Sequence, residues 1–305
     1  MLWVIAAAGL ILMSLLSGPL SRALSGMDVQ LQSLLFNLIY YLPFAALPVF
    51  LLARRAPGLW TAYRPYPISA LSTLSIVSLA LLGVFFTTDL TALWTIPLEA
   101  LGLNPGVASA VIPTNAPGLT LCVFYVAVLP AVCEEFLFRG AILSAFERNG
   151  TRRAVIASAA LFALLHGSLT GLPAHFLLGR IMGWLVVSCN SVYAGLIYHT
   201  THNAASVILQ FVINRSITRA AEDSRRMIDA VGGLSGVAQL LIELALMGAM
   251  ILFTLRMFRV TARLRGAAFL PERRERLRKG EWALLIAGLI LAGLLYAADI
   301  LGMLI

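Results

Sequence analysis

Apolar residues run through this chain in stretches of helical-span length, and short connections that collect the arginines separate them. About nine such stretches stand out, near 2–19, 31–53, 68–87, 117–147, 152–168, 172–189, 191–212, 233–257 and 282–304. Each approaches the ~20 apolar residues that an α-helix needs to cross a bilayer. None alternates with the period of a strand, and open sheet edges have no place in hydrocarbon. The pattern predicts an all-α, multi-pass transmembrane helix bundle of about eight to nine spans. The piece near 88–104, with Trp94, Pro97 and Glu99, reads as interfacial or re-entrant. The fourth stretch exceeds what a span needs and is expected to tilt or to emerge at its C-terminal end. Within it, Pro130 should bend the helix or loosen a backbone hydrogen bond.

Composition sharpens the class. The chain is 60% hydrophobic and 12% charged, with a mean hydropathy of +0.91. Soluble domains run near 45–50% apolar and about 25% charged, so this is the composition of an integral membrane protein. The net charge of +8 lies in connections rather than on an aromatic-studded stacking surface, which excludes nucleic acid as the expected partner. Arg54, Arg55 and Arg64, then Arg148, Arg152 and Arg153, then the basic run Arg263 to Lys279 mark cytoplasmic connections. With nine spans the N-terminus is cytoplasmic and the C-terminus outside. The connection 214–231 dissents, because it carries four arginines on the side read as external. The run 263–279 is expected to be topogenic and to attract anionic lipid.

The N-terminal stretch has no basic region before it and no small-x-small site after it, so a retained span is expected rather than a cleaved signal. The three cysteines, Cys122, Cys133 and Cys189, form no metal-ligand spacing and no disulfide framework. Arginine- and alanine-rich, lysine-poor usage suits a prokaryotic inner membrane. The chain divides into N-terminal scaffold spans over 1–114, a chemically rich core over 115–212, and C-terminal spans with the basic loop over 213–305. Repeats and low-complexity tracts are absent.

The core carries the chemistry. Glu134, Glu135 and Arg139 fall within one apolar stretch, and ionisable groups at membrane depth are functional candidates by default. Glu135 precedes Arg139 by four residues, the favourable order for an intrahelical ion pair, which leaves Glu134 on another face. Phe162 and His166 share a helix face, as do His199 and Asn203, with His202 inside the same turn. At 1.5 Å per residue, Glu134 lies ~21 Å from Arg148, His166 ~20 Å from Arg153, and His199 ~13 Å from Asn190. With some tilt the carboxylate and the two imidazoles share a depth in mid-membrane.

A carboxylate and an imidazole can deprotonate water, while a second imidazole and a carboxamide can donate to an oxyanion. Glu134, His166 and His199 are also a plausible zinc ligand set, although H-E-x-x-H is missing. Asn203 could instead join helices, and His202 could support the site or simply pack. His175, at a span edge, reads as interfacial, and Arg180 and Glu243 as a pair across helices. A proton- or ion-coupled transporter could use the same residue types as a relay, but would be expected to show repeated halves.

Glu134-Glu135-Phe136-Leu137-Phe138-Arg139, Phe162 to His166, and His199 to Asn203 resemble the EExxxR, FxxxH and HxxxN motifs of the CAAX prenyl endopeptidase and bacteriocin-processing membrane protease family. Gly140 and the stretch Phe176 to Gly183 are similar to that family as well. The resemblance covers residues 115–210. It implies an intramembrane endopeptidase in which Glu134 and His166 activate water, His199 and Asn203 hold the oxyanion, and Glu135 and Arg139 fix the geometry. It implies a membrane-anchored peptide or protein substrate, with membrane lipid as the other partner. It leaves open a divalent metal such as zinc, held by Glu134, His166 and His199, and a non-catalytic scaffold of the same family.

Overall fold

Helix ends are set where the sequence supplies caps and left-handed residues. The computed structural model describes residues 2–41, 64–105, 113, 115–216, 226–264 and 279–304. The helices are α1 (Leu2–Ala23), α2 (29–41), α3 (Ala70–Ala100), α4 (Ala116–Asn149), α5 (Thr151–Leu165), α6 (Leu172–Cys189), α7 (Val192–Ser216), α8 (Met227–Ala230), α9 (Gly233–Leu264) and α10 (Lys279–Leu304). Ser69 caps α3 and Asn115 caps α4, each accepting from the backbone three residues on, which satisfies an otherwise unpaired N–H. Gly150 at φ +98° separates α4 from α5, and Asn190 at φ +48° ends α6.

The all-α, multi-pass reading holds: among the described residues there is no strand, and five helices are long and apolar enough to cross a membrane. They are α3, α4, α6, α9 and α10; α1 makes six if its halves, Val4–Met13 and Leu15–Ala23, bent by 46°, form one span. This is fewer than the eight to nine expected, for physical reasons. Helix α5 has 15 residues, ~22 Å of rise against ~30 Å of hydrocarbon. Helix α7 is long enough, but His199, Thr200, Thr201, His202 and Asn203 interrupt its apolar character. The stretch 31–53 is helical to residue 41 and then leaves the described residues, as does nearly all of the basic run 263–279.

The piece near 88–104 is neither re-entrant nor a separate interfacial element. Residues to Ala100 continue α3 without a break. Its hydroxyls do not compete with the helix, because Thr87, Thr88 and Thr95 donate back to carbonyls within their own helix. Pro97 falls in the last turn, where a kink costs little.

Helix α4 is not uniformly α-helical. It widens into π-turns at Val123–Val128 and Phe136–Ile142, on either side of Leu129–Glu135. Pro130 has no N–H for the Val126 carbonyl, in agreement with the loosened bond expected there, and a side chain from α7 uses that carbonyl instead. π-Turns of this kind gather at functional sites because they re-aim side chains without ending the helix. Helices α5 and α6 pack closely as an antiparallel pair, and α7 lies against α3, α4 and α6. The core is where these helices meet, around Phe138, Phe162, Met182, Leu185 and Tyr198, all nearly fully buried.

Candidate active site

The first glutamate pair divides as the spacing predicts. Glu135 and Arg139 are both 1% exposed, and Arg139 Nη1 donates to Glu135 Oε1 at 2.7 Å. Arg139 Nη2 donates to the Gly179 carbonyl at 3.1 Å, and its guanidinium lies 4.6 Å from the Phe162 ring centroid. Two charges removed from solvent need this compensation, since an unpaired buried ion is strongly destabilising. The same Oε1 also faces His199 Nδ1 at 3.1 Å. The pair is thus a bracket that carries α4, α6 and α7 in one network.

Glu134 faces elsewhere. His166 Nε2 and His199 Nε2 each lie 3.9 Å from its Oε2, so three helices converge on one carboxylate oxygen. That oxygen is buried and accepts no hydrogen bond among the described residues, while Tyr41 hydrogen-bonds the same side chain. A cavity of about 90 Å³ opens beside it, lined by Leu10, Tyr40, Tyr41, Cys133, Leu137, Phe138, Leu165 and His166.

The FxxxH spacing has a structural meaning. His166 ends α5, where the last carbonyls lack helical partners, and its Nδ1 lies 2.8 Å from the Phe162 carbonyl. A carbonyl can only accept, so Nδ1 carries a proton, and Nε2 is the ring nitrogen turned toward Glu134. The Phe162 ring packs on this arrangement at 4.5 Å from His166, 5.9 Å from His199 and 5.1 Å from Phe138. One aromatic residue therefore contacts pieces of all three motifs.

Asn203 Nδ2 donates to the Val126 carbonyl at 3.3 Å, the carbonyl that Pro130 leaves short of a donor. Asn203 Oδ1 lies 3.4 Å from His202 Nδ1, and His202 Nε2 lies 3.1 Å from Thr87 Oγ1 on α3. His202 is turned toward α3 and joins that helix to α7.

Two expectations change. His175 is not interfacial: its ring stacks on His166 with centroids 4.0 Å apart and planes at 26°. The half-turn between α5 and α6 folds α6 back along α5, which brings position 175 over position 166. Glu243 does not pair with Arg180 across helices; it accepts from Gln239 at 2.8 Å. Helix α9 lies along α3, and the partner that Glu243 finds stands one turn away on its own helix.

Sequence reading also passed over Gly195. A Cβ there would stand 2.3 Å from Glu135 Oε2, so only glycine lets α7 approach the bracket. A signal was present, since Gly195 lies one turn before His199 on the same face. Among the described residues, no group of three or more His, Cys, Asp and Glu side chains is arranged to hold a metal ion.

Residues 116–205 match the family model for the type II CAAX prenyl endopeptidases, Rce1-like, which bears out the resemblance carried by the three motifs. No curated protein and no solved structure matches the chain.

Proposed function

We propose that this integral membrane protein, whose core is that of the CAAX prenyl endopeptidase and bacteriocin-processing family, is an intramembrane endopeptidase that hydrolyses its substrate through a water activated by Glu134 and His166. The observation that carries the reading is the convergence of His166 and His199 on the unpartnered Oε2 of Glu134. A separation of 3.9 Å is too long for a direct hydrogen bond and leaves room for a reactant between the carboxylate oxygen and His166 Nε2.

In this reaction Glu134 takes a proton from water as the water oxygen bonds to the scissile carbonyl carbon. The carbonyl oxygen becomes an oxyanion. Collapse of that intermediate breaks the C–N bond, and the proton held by Glu134 passes to the departing amine. Asn203 spends one of its two amide hydrogens on Val126, and the other is the oxyanion donor. His199 can donate from Nε2 only when that nitrogen carries a proton in addition to the one on Nδ1 facing Glu135. Phe162, Glu135 and Arg139 hold this geometry, and His202 steadies α7 against α3.

The substrate is a membrane-associated peptide or protein that reaches the cavity beside Glu134. The N-terminus is assigned to the cytoplasm from the arginine-bearing connections, and cysteine-accessibility labelling of positions near residue 25 and residue 150 tests it.

The deciding experiment compares purified wild-type protein with Glu134→Gln on a membrane-anchored peptide, with and without a strong chelator. General-base removal is expected to lower turnover by roughly 10²- to 10⁴-fold, with folding retained and chelator harmless. Turnover lost to chelator and restored by zinc would transfer Glu134, His166 and His199 to metal binding. Unchanged cleavage by Glu134→Gln would overturn the mechanism.

A further inference from the structure

The turn after His166 is held from outside the family-like core. Between α5 and α6 the backbone leaves helical geometry, with Gly167 at φ +59°. Non-helical backbone at membrane depth persists only where protein groups satisfy it. Here a single residue, Leu169, is held by two side chains, its carbonyl also accepting from the Leu172 N–H at 3.3 Å. Its N–H donates to Asp299 Oδ2 of α10 at 2.7 Å, and its carbonyl accepts from Trp94 Nε1 of α3 at 2.9 Å.

Two more contacts from α10 grip the same turn. Tyr296 Oη donates to the Ala163 carbonyl at 3.0 Å, three residues before His166. Leu295 packs so closely on Gly167 that a Cβ there would stand 3.1 Å from it. The ends of α3 and α10 are joined in turn by the Asn104 N–H donating to the Met303 carbonyl at 2.8 Å. Four side chains therefore fix the backbone on both sides of His166, and none of them lies in residues 116–205.

We infer that Asp299 and Trp94, with Tyr296, are positioning residues for His166. They set the end of α5 so that the His166 ring can rest on the Phe162 carbonyl and present Nε2 to Glu134. The catalytic consequence rests on the protease reading above; the positioning itself does not. A displacement of about 1 Å in a reacting group costs on the order of 10²-fold in rate, so a loosened turn would register in turnover rather than in binding.

The test uses full-length protein with ring-¹⁵N histidine in lipid nanodiscs. The His166 resonances are assigned by their loss in His166→Gln. Asp299→Leu removes the acceptor for Leu169, whereas Asp299→Asn keeps an acceptor oxygen. Asp299→Leu and Trp94→Phe are expected to move or broaden the His166 signals while those of His202, held by Thr87, stay in place; Asp299→Asn is expected to match wild type. On a cleaved peptide, Asp299→Leu should lower kcat roughly 10- to 100-fold with KM nearly unchanged. Unmoved His166 signals in both Asp299→Leu and Trp94→Phe would overturn the inference. So would His202 signals that move as much as those of His166, because that reports general loosening. If Asp299→Leu fails to fold, Trp94→Phe carries the same readout. If the signals behave as expected while Glu134→Gln cleaves like wild type, the protease reading fails and the brace stands.

Discussion

Helices α6 and α10 invert the rule that holds in water. The span of α6 has the lower hydropathy, 1.4, yet 56% of it is buried inside the protein; that of α10 has 2.3 and is 11% buried. Helix α9, at 2.0, is 6% buried. In a soluble domain the most apolar segment goes to the core. In a bilayer the lipid is as apolar as any side chain, so burial against protein selects for small and polar groups instead. Helix α6 qualifies through Gly179, which lets it touch Ala159 of α5 closely and exposes a carbonyl to Arg139. The polar inventory of this protein is concentrated where its helices contact each other, and the site follows from that.

Substitutions in the two regions should break apart in size. The largest effect belongs to Glu134→Gln, whose expected loss of turnover is described above and which leaves melting in detergent close to wild type. Next comes Arg139→Leu, which strands Glu135 at 1% exposure; a loss of about 3–5 kcal/mol is expected, read as a large drop in thermal midpoint. Apolar truncation gives the direct comparison. Leu185→Ala, fully buried on α6, should cost about 2 kcal/mol, whereas Leu246→Ala, 63% exposed on α9, should change the midpoint little. Equal losses at both would mean that α9 is covered by protein rather than by lipid.

The smallest contrast is between two glycines. Gly195→Ala drives a methyl group into Glu135 and should destabilise by about 1–3 kcal/mol while also lowering turnover. Gly293→Ala on α10 meets nothing within 4 Å and removes a flexible residue from a helix interior. It should leave turnover unchanged and stabilise by about 0.5–1 kcal/mol. A matching loss at Gly293 would place a neighbour on that face.

Much of the site was legible because its parts repeat with the helix. The Glu135–Arg139 pair and the Phe162–His166 contact are both four residues apart, and helical geometry alone brings them together. The shared depth expected for Glu134, His166 and His199 followed from counting residues to the connections at Arg148, Arg153 and Asn190. Span number was less legible, since apolar runs do not say whether a helix crosses lipid or shelters inside the bundle; α5 and α7 do not pass as spans in their own right. The stacking of His175 on His166 depends on how α6 folds back along α5. The partners of Asn203, His202 and Leu169 depend on which helix face meets which, and no local pattern encodes that.

By itself, then, the sequence determined the helical, membrane-embedded character, the bracket within α4 and the set of residues with chemistry to offer. Those properties rest on composition and on spacings of three or four residues, which the backbone turns into contacts unaided. Only the tertiary structure decided that two histidines point at one oxygen of Glu134, that Gly195 makes room for Glu135, and that Asp299 and Trp94 hold the turn behind His166. These contacts join positions 32 to 130 residues apart. Their existence depends on helix rotation and crossing, which packing sets collectively and a linear pattern leaves open.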